Sequence, residues 1–328
     1  MASDKERIGK KSLSAAPSFS VIILNYNGAG VLLNAINSVK VAAKKYPGTV
    51  EIIVADNNSS DGSKKIASKF PGVVFFNTGA NLFLTAYNKA AQKANYPWLV
   101  LVNNDMVFDR NFFCAASVPL SKRNLFAVAP KILWGDRKRI NFAVARASFK
   151  AGFLKILRDG SNQPDCNQFP ASASLYPPLA GVFSKEKFLA LGGVDKLYFP
   201  SMWDDVDLGY CAWKRGWETL FDPACIVYHE HKGTLAAKLG NKNQALVNRN
   251  KHLFIWKNIS DTAFILEYAV LLPFMLVAGT IISGPSYFIG FIEAFKKLPQ
   301  ALRQRKKEKR FRIVSDRSIL RKTHGEYW

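Results

Sequence analysis

Between residues 18 and 102 the chain alternates between short apolar runs and helix-like stretches, and that rhythm restricts it to few folds. Strand-like runs occupy 18–24 (SFSVIIL), 50–55, 73–76 and 98–102, with helical segments at 31–45, 63–69 and 86–94. Uninterrupted apolar runs suit strands buried on both faces. The pattern therefore predicts an α/β fold with a Rossmann-like, mostly parallel sheet covered by helices on either side. Ligands in such sheets sit beyond the carboxyl ends of the strands. Asn25-Tyr26-Asn27-Gly28, the polar loop 56–62 and Asn103-Asn104-Asp105 all occupy such ends, which places Tyr26, Asp56 and Asp105 around one crevice.

Beyond residue 112 the pattern is less regular. Residues 145–174 mix Gly, Pro, Asn and Gln and read as a long loop over the site. A helix is expected at 185–191, stopped by Gly192-Gly193, and another at 206–215, stopped by Gly216. Residues 268–292 carry no charge, enough to cross a hydrocarbon layer of ~30 Å, but Pro273, Gly279 and Ser283-Gly284-Pro285 interrupt them. A basic stretch, 296–312, follows.

Lys plus Arg total 46 against 24 Asp plus Glu, a net charge of +22, so a polyanionic partner is expected. The basic residues concentrate beside the apolar segment, and no nucleic-acid-binding motif is present, which favours an anionic membrane surface over nucleic acid. Cys114, Cys166, Cys211 and Cys225 form no CxxC pair and read as reduced thiols. Residues 1–17 are polar and basic without an apolar centre, so the α/β domain is expected to stay at the cytoplasmic face of the membrane. A basic tail prefers that side too, so a hairpin bending at 283–285, or a helix lying in the interface, is expected rather than a single span. The expected organisation is a basic tail at 1–17, an α/β domain at 18–258, membrane-associated helices at 259–298 and a basic tail at 299–328.

A second acidic cluster, Trp203-Asp204-Asp205-Val206-Asp207-Leu208, opens the helix predicted at 206–215. If it faces the same crevice as Asp105, one cluster can hold a cation on a diphosphate while the other takes a proton from a nucleophile. Asp105 is the candidate ligand for Mg²⁺ or Mn²⁺, because hard cations want carboxylate oxygen. Asp205 is the candidate base, since an ordinary aspartate is ionised at neutral pH. Asp204 and Asp207 either contact the acceptor or stabilise the first helical turn, and Trp203 either walls the sugar pocket or fills the core. Asp61 is expected to cap the helix at 63–69.

Six segments in order resemble the family 2 glycosyltransferases of GT-A fold over residues 18–258: VIILNYNG, IVADNNSSDGS, VNND, GGVD leading to WDDVDL, Tyr228-His229 and Arg249-Asn250. The nearest branches are the rhamnosyl- and galactofuranosyltransferases. The resemblance implies a nucleotide-diphospho-sugar donor, with UDP- or dTDP-sugars favoured. It implies donor contacts at Asn25, Tyr26, Asp56 and Asn104, and a phosphate contact at Arg249. It also implies a metal site at Asp105 and His229, His231 being the alternative register. The implied activity is inverting, metal-dependent transfer to a lipid-linked or cell-surface glycan acceptor in cell-envelope polysaccharide biosynthesis. Two departures stand out: Asn103 replaces the first acid of the family's Asp-x-Asp, and Leu82 replaces a usual glycine. The alternatives are a non-catalytic nucleotide-sugar-binding scaffold of the same fold and a basic nucleic-acid-binding protein.

Overall fold

The computed structural model describes residues 16–161, 164, 169–230 and 241–324; most of the N-terminal tail, Cys166 and His231 lie outside them. In chain order the first elements are β1 (Phe19–Asn25), α1 (Ala29–Lys44), β2 (Val50–Asp56), α2 (Ser63–Ala67), β3 (Val73–Asn77), α3 (Ala86–Lys93) and β4 (Trp98–Asn103). Strands β3, β2, β1 and β4 lie side by side and parallel, as the alternation predicts. Successive residues serve opposite faces. Val21, Ile23, Ile52, Val54, Val100 and Val102 belong to one core cluster, while Ile22, Leu24, Ile53, Ala55, Leu99 and Leu101 belong to the other.

The second half of the sheet is mixed rather than parallel. It contains β5 (Met106–Phe108), α4 (Phe112–Ser117), β6 (Leu125–Trp134), β7 (Ile140–Phe142), β8 (Ala145–Lys150), β9 (Phe153–Arg158), β10 (Ser172–Ala173), β11 (Val182–Ser184), α5 (Lys185–Leu191), α6 (Asp204–Lys214) and β12 (Glu218–His229). Strand β11 joins β4 to β6 antiparallel to both, and β12 then runs parallel to β6. The region expected as a loop after residue 145 instead begins with an antiparallel hairpin, β8–β9. Its alternating apolar residues Ala145, Ala147, Leu154 and Ile156 pack on the core, a period-two signal that the surrounding polar composition masks.

Among the described residues five helices follow: α7 (Asn241–Asn258), α8 (Thr262–Ser283), α9 (Ser286–Lys296), α10 (Leu298–Lys309) and α11 (Asp316–His324). The chain breaks after α8 at Gly284, where φ is +72°, and α9 folds back to pack on both α8 and α7. Gly279 permits this return, because a Cβ there would come within 2.7 Å of the Tyr287 ring. The expected basic tail is not a separate segment. Ile319 and Leu320 of α11 enter the main core, and Asp316 forms a buried ion pair with Lys214 of α6 at 2.6 Å. Arg305 and Arg312 donate to the carbonyls of Trp256 (3.1 Å) and Lys257 (2.7 Å), satisfying the otherwise unpaired end of α7. Two of the tail's cations thus have structural partners.

Candidate active site

Three strand ends meet at the crevice. Asn25 and Asp56 are register partners of β1 and β2, and Asn103 at the end of β4 lies opposite Leu24. The Asn25 amide ties them together: Nδ2 donates to Asp56 Oδ1 at 2.7 Å, and Oδ1 accepts from Asn104 Nδ2 at 2.7 Å. Asp56 is 1% exposed and also accepts from the Ser59 N–H (2.8 Å) and hydroxyl (2.6 Å). Its carboxylate therefore folds the loop after β2 back onto the strand end through a residue three positions on. A Cβ on Gly28 would lie 1.8 Å from Asn104 Nδ2, so the turn needs glycine there. Tyr26 stands half-exposed beside it. Asp61 receives the Ala29 N–H (2.8 Å) and the Ser63 N–H (3.0 Å), bracing the starts of α1 and α2 as its expected capping role requires.

Strand pairing brings Asp105 to His229 across 124 residues of sequence. Strand β5 begins one residue after Asp105 and pairs with β12 so that Met106 lies opposite His229. His229 Nε2 is 3.2 Å from Asp105 Oδ2, and Trp134 stacks on the imidazole with planes 13° apart. Asp105 Oδ1 and His229 Nδ1 are buried without a protein hydrogen bond. An unpaired buried polar atom costs about 1–3 kcal/mol, so a pair of them marks a place built for a further partner. An open carboxylate oxygen and an open imidazole nitrogen on this contacting pair are donor types that a divalent cation takes. Among the described residues no three His, Cys, Asp or Glu side chains cluster, so the remaining ligands would be phosphate oxygens and water, a common arrangement for Mg²⁺. Asn103, standing where an acid was expected, accepts from the Tyr87 hydroxyl at 3.1 Å.

The second acidic cluster opens onto the same space. A cavity of about 1050 Å³ is lined by Trp203, Asp204 and Asp205 and also by Asn103 and His229. Met202 and Trp203 precede α6 in the left-handed region, with φ of +78° and +70°. Such conformations cost non-glycine residues about 1–2 kcal/mol each and need bracing. Asn250 supplies it, donating from Nδ2 to the carbonyls of Ser201 (3.0 Å) and Met202 (2.7 Å). Arg249, expected at the donor phosphates, extends this brace: its guanidinium donates to the Phe199 carbonyl at 2.7 Å and to Asn250 Oδ1 at 2.9 Å, and it does not line the cavity.

Asp205 accepts from the Val206 N–H at 2.9 Å, and its other oxygen has no hydrogen bond among the described residues. Burial raises its pKa, and the nearby Arg158 guanidinium offsets part of that rise. Asp204 is raised well above the ordinary carboxylate range, first by burial and then by the charge of Asp205. Asp207 stands in the first turn of α6, the second of the two places expected for it. It does not reach the cavity but accepts from Lys257 (2.6 Å), Tyr198 (2.8 Å) and Asn258 (2.7 Å) inside the protein. Trp203 lines the cavity and also packs on Phe254 with ring centroids 5.2 Å apart.

Sequence reasoning missed the cations of this cavity, Lys155, Arg158 and Lys251. The two on β9 lay inside the stretch read as a loop. Lys251 follows Val247 by four residues on α7, a spacing that puts both on one face, but only the fold shows which face meets the site.

Residues 20–169 match the profile described as Glycosyl transferase family 2. The chain is 25% identical over 281 residues to the N-acetylglucosaminyl-diphospho-decaprenol L-rhamnosyltransferase of Mycobacterium tuberculosis, covering 72% of this chain and 83% of the relative. Among solved structures, S. aureus TarS 1-349 aligns over 90% of this chain and 83% of its own, with TM-score 0.56 and 14% identity. The mannosyltransferase PcManGT from Pyrobaculum calidifontis, in complex with GDP-Man and Mn²⁺, aligns over 91% and 86%, with TM-score 0.53 and 14% identity. GalNAc-T7 with UDP, GalNAc and Mn²⁺ gives TM-score 0.53 at 18% identity over 74% of this chain, which spans about half, 51%, of that protein. At these identities the structural likeness speaks to fold, and the sequence matches speak to family. Residues 20–169 thus match glycosyl transferase family 2, and the chain shares the α/β fold of GT-A-type glycosyltransferases.

Proposed function

We propose that the protein is an inverting, divalent-metal-dependent glycosyltransferase that moves a sugar from a UDP- or dTDP-sugar to a lipid-linked acceptor at the cytoplasmic face of a membrane. The observation that carries this reading is the shared cavity: His229, bonded to Asp105, lines one part, Asp205 another, and Met275, Gly279 and Tyr287 of α8 and α9 a third. The Mycobacterium tuberculosis relative is named for L-rhamnosyl transfer to N-acetylglucosaminyl-diphospho-decaprenol, which supports a deoxyhexose donor and a diphospho-lipid acceptor here.

Each residue then has a defined task. Tyr26 offers a ring face to the nucleobase, while Asn25, Asp56 and Asn104 hold rigid the loops against which the nucleoside lies. Asp105 and His229 would hold Mg²⁺ or Mn²⁺, which when bound neutralises the charge of the departing diphosphate. Asp205 takes the acceptor hydroxyl proton on its free oxygen as that hydroxyl attacks the anomeric carbon from the side opposite the leaving group, which inverts configuration. A raised carboxylate pKa makes a stronger base, still ionised once pH exceeds it.

Attachment to the membrane would come from α8. At 22 residues it is about 33 Å long. Leu266, Val270, Phe274, Val277 and Ile281 form one exposed stripe along it, with Ile281 79% and the adjoining Ile282 83% exposed. Each such side chain contributes roughly 1.5–3 kcal/mol on leaving water, against about 1 kcal/mol for each basic residue near an anionic surface. Insertion of the stripe therefore outweighs charge. The return of α9 to α7 keeps both ends of the hairpin on one side, which favours re-entrant or interfacial attachment over a single span.

The test is nucleotide release from a panel of UDP-, dTDP- and GDP-sugars with Mn²⁺ or Mg²⁺, using a membrane lipid extract as acceptor. Metal-dependent release from a UDP- or dTDP-sugar, stimulated by the extract, is expected; no turnover of any donor would overturn the reading. Attachment is tested by vesicle flotation of the triple variant Val277→Ser, Ile281→Ser, Ile282→Ser. The variant should stay in solution while the parent floats even at high salt.

A further inference from the structure

The cavity carries more positive charge than the transfer chemistry uses. Lys155 stands on β9 and Lys251 on α7, both lining the cavity, with Arg158 three residues further along the same strand. Arg158 is engaged with the Tyr176 hydroxyl at 2.8 Å. Neither lysine pairs with a carboxylate among the described residues. Burial, and then the neighbouring charge of Lys155, hold the Lys251 ammonium below its ordinary value. Two like charges facing one space, without a counterion from the protein, leave room for an anion supplied from outside.

Their position says which anion. The hairpin that carries Lys155 is fixed to the apolar helices: the Gly152 N–H donates to Glu267 of α8 at 2.9 Å, and Phe149 stacks on Phe264 with centroids 4.3 Å apart. Met275, Gly279 and Tyr287 line the same cavity, so the lysines share it with an apolar wall as well as with Asp205. The donor diphosphate is an anion too, but its expected place is beside Asp105 and His229, where a divalent cation would supply the positive charge. An acceptor whose reactive sugar reaches Asp205 would carry its diphosphate past Lys155 and Lys251 and its isoprenoid chain along α8 and α9.

Resting on the function proposed above, we infer that Lys155 and Lys251 form the acceptor's diphosphate site, with the wall at Met275, Gly279 and Tyr287 receiving the first isoprene units. The pairing explains why the hairpin is clamped to α8: the cationic grip and the lipid lane must keep a fixed spacing. Arg158 stays with Tyr176 and Asp205 and positions the base rather than gripping phosphate.

The test is equilibrium binding, read without turnover, of farnesyl diphosphate, farnesol and UDP with Mn²⁺ to the full chain in detergent. The parent should bind farnesyl diphosphate at least tenfold more tightly than farnesol. In Lys155→Ala/Lys251→Ala that preference should fall at least tenfold, while UDP affinity holds and Lys155→Arg/Lys251→Arg restores it. Lys155 is exposed on the hairpin, so Lys155→Ala alone tests the site if the double variant misfolds, with a loss of at least threefold. An unaltered preference in these variants would overturn the inference. So would a loss of UDP affinity with farnesyl diphosphate binding intact, which would assign the lysines to the donor. Failure of sugar transfer from every donor would refute the proposed function yet leave the binding result standing. Transfer to a diphospho-lipid with unaltered variant binding would refute only this site.

Discussion

Asp205 and Asp207 lie two residues apart in the first turn of α6, yet the regions they face are built on opposite terms. Behind the helix, Asp207 shares Lys257 with Asp195 at 2.6 and 2.7 Å and accepts from Tyr198 and Asn258, so that side is fully satisfied. Burial alone would lower the Lys257 pKa, but the two carboxylates more than offset it and hold the ammonium up. In front of the helix, Asp204 has no cation partner among the described residues, and Asp205 spends one oxygen on its own Val206 N–H. The same contrast separates Asp56, consumed by its loop, from Asp105, which keeps one buried oxygen open. On the proposed function, the unsatisfied acids are those that act on substrate, and the satisfied ones hold the frame.

That division can be broken by exchange. Asp205→Asn should lower kcat by about 10²- to 10⁴-fold, the usual worth of a positioned base, while donor binding holds and the melting temperature does not fall. Retained transfer would remove Asp205 from the mechanism. Lys257→Met should do the reverse, costing about 3–5 kcal/mol of stability in chemical denaturation because it leaves two buried carboxylates uncompensated. If the variant is as stable as the parent, the region behind α6 is not the frame it is taken for. Asp204→Asn sharpens the comparison most finely. A carboxyl raised by burial contributes its stability below the unfolded pKa of about 3.9 and loses it as pH rises through the folded value. Removing the charge should therefore raise the melting temperature at pH 7, with the gain disappearing below about pH 4. A gain that grows as pH falls would reverse the assignment.

Much of the frame was readable because its signals are local. Strands β1 to β4 announce themselves by consecutive apolar residues, α5 by Gly192-Gly193, and the break between α8 and α9 by Ser283-Gly284-Pro285. Hairpin β8–β9 was obscured because its strands are short and rich in Arg, Lys and Ser, so composition spoke louder than period. Asp105 and His229 could be nominated from motifs, but their contact depends on the pairing of β5 with β12, which no local pattern encodes. The partners of Arg249 and Asp207 were illegible for a related reason. A charge in a motif looks available until its partners, Phe199 and Asn250 for one and Lys257 for the other, arrive from elsewhere in the chain.

The docking of α11 has a consequence for how the protein is made. Asp316 binds Lys214 and the N–H groups of Ser260 and Asp261, so the domain cannot be finished until the final helix has left the ribosome. By then α8 and α9 have already emerged. During synthesis the apolar hairpin is therefore exposed while the sheet domain is still incomplete, and on the attachment proposed above it would meet lipid before the domain closes.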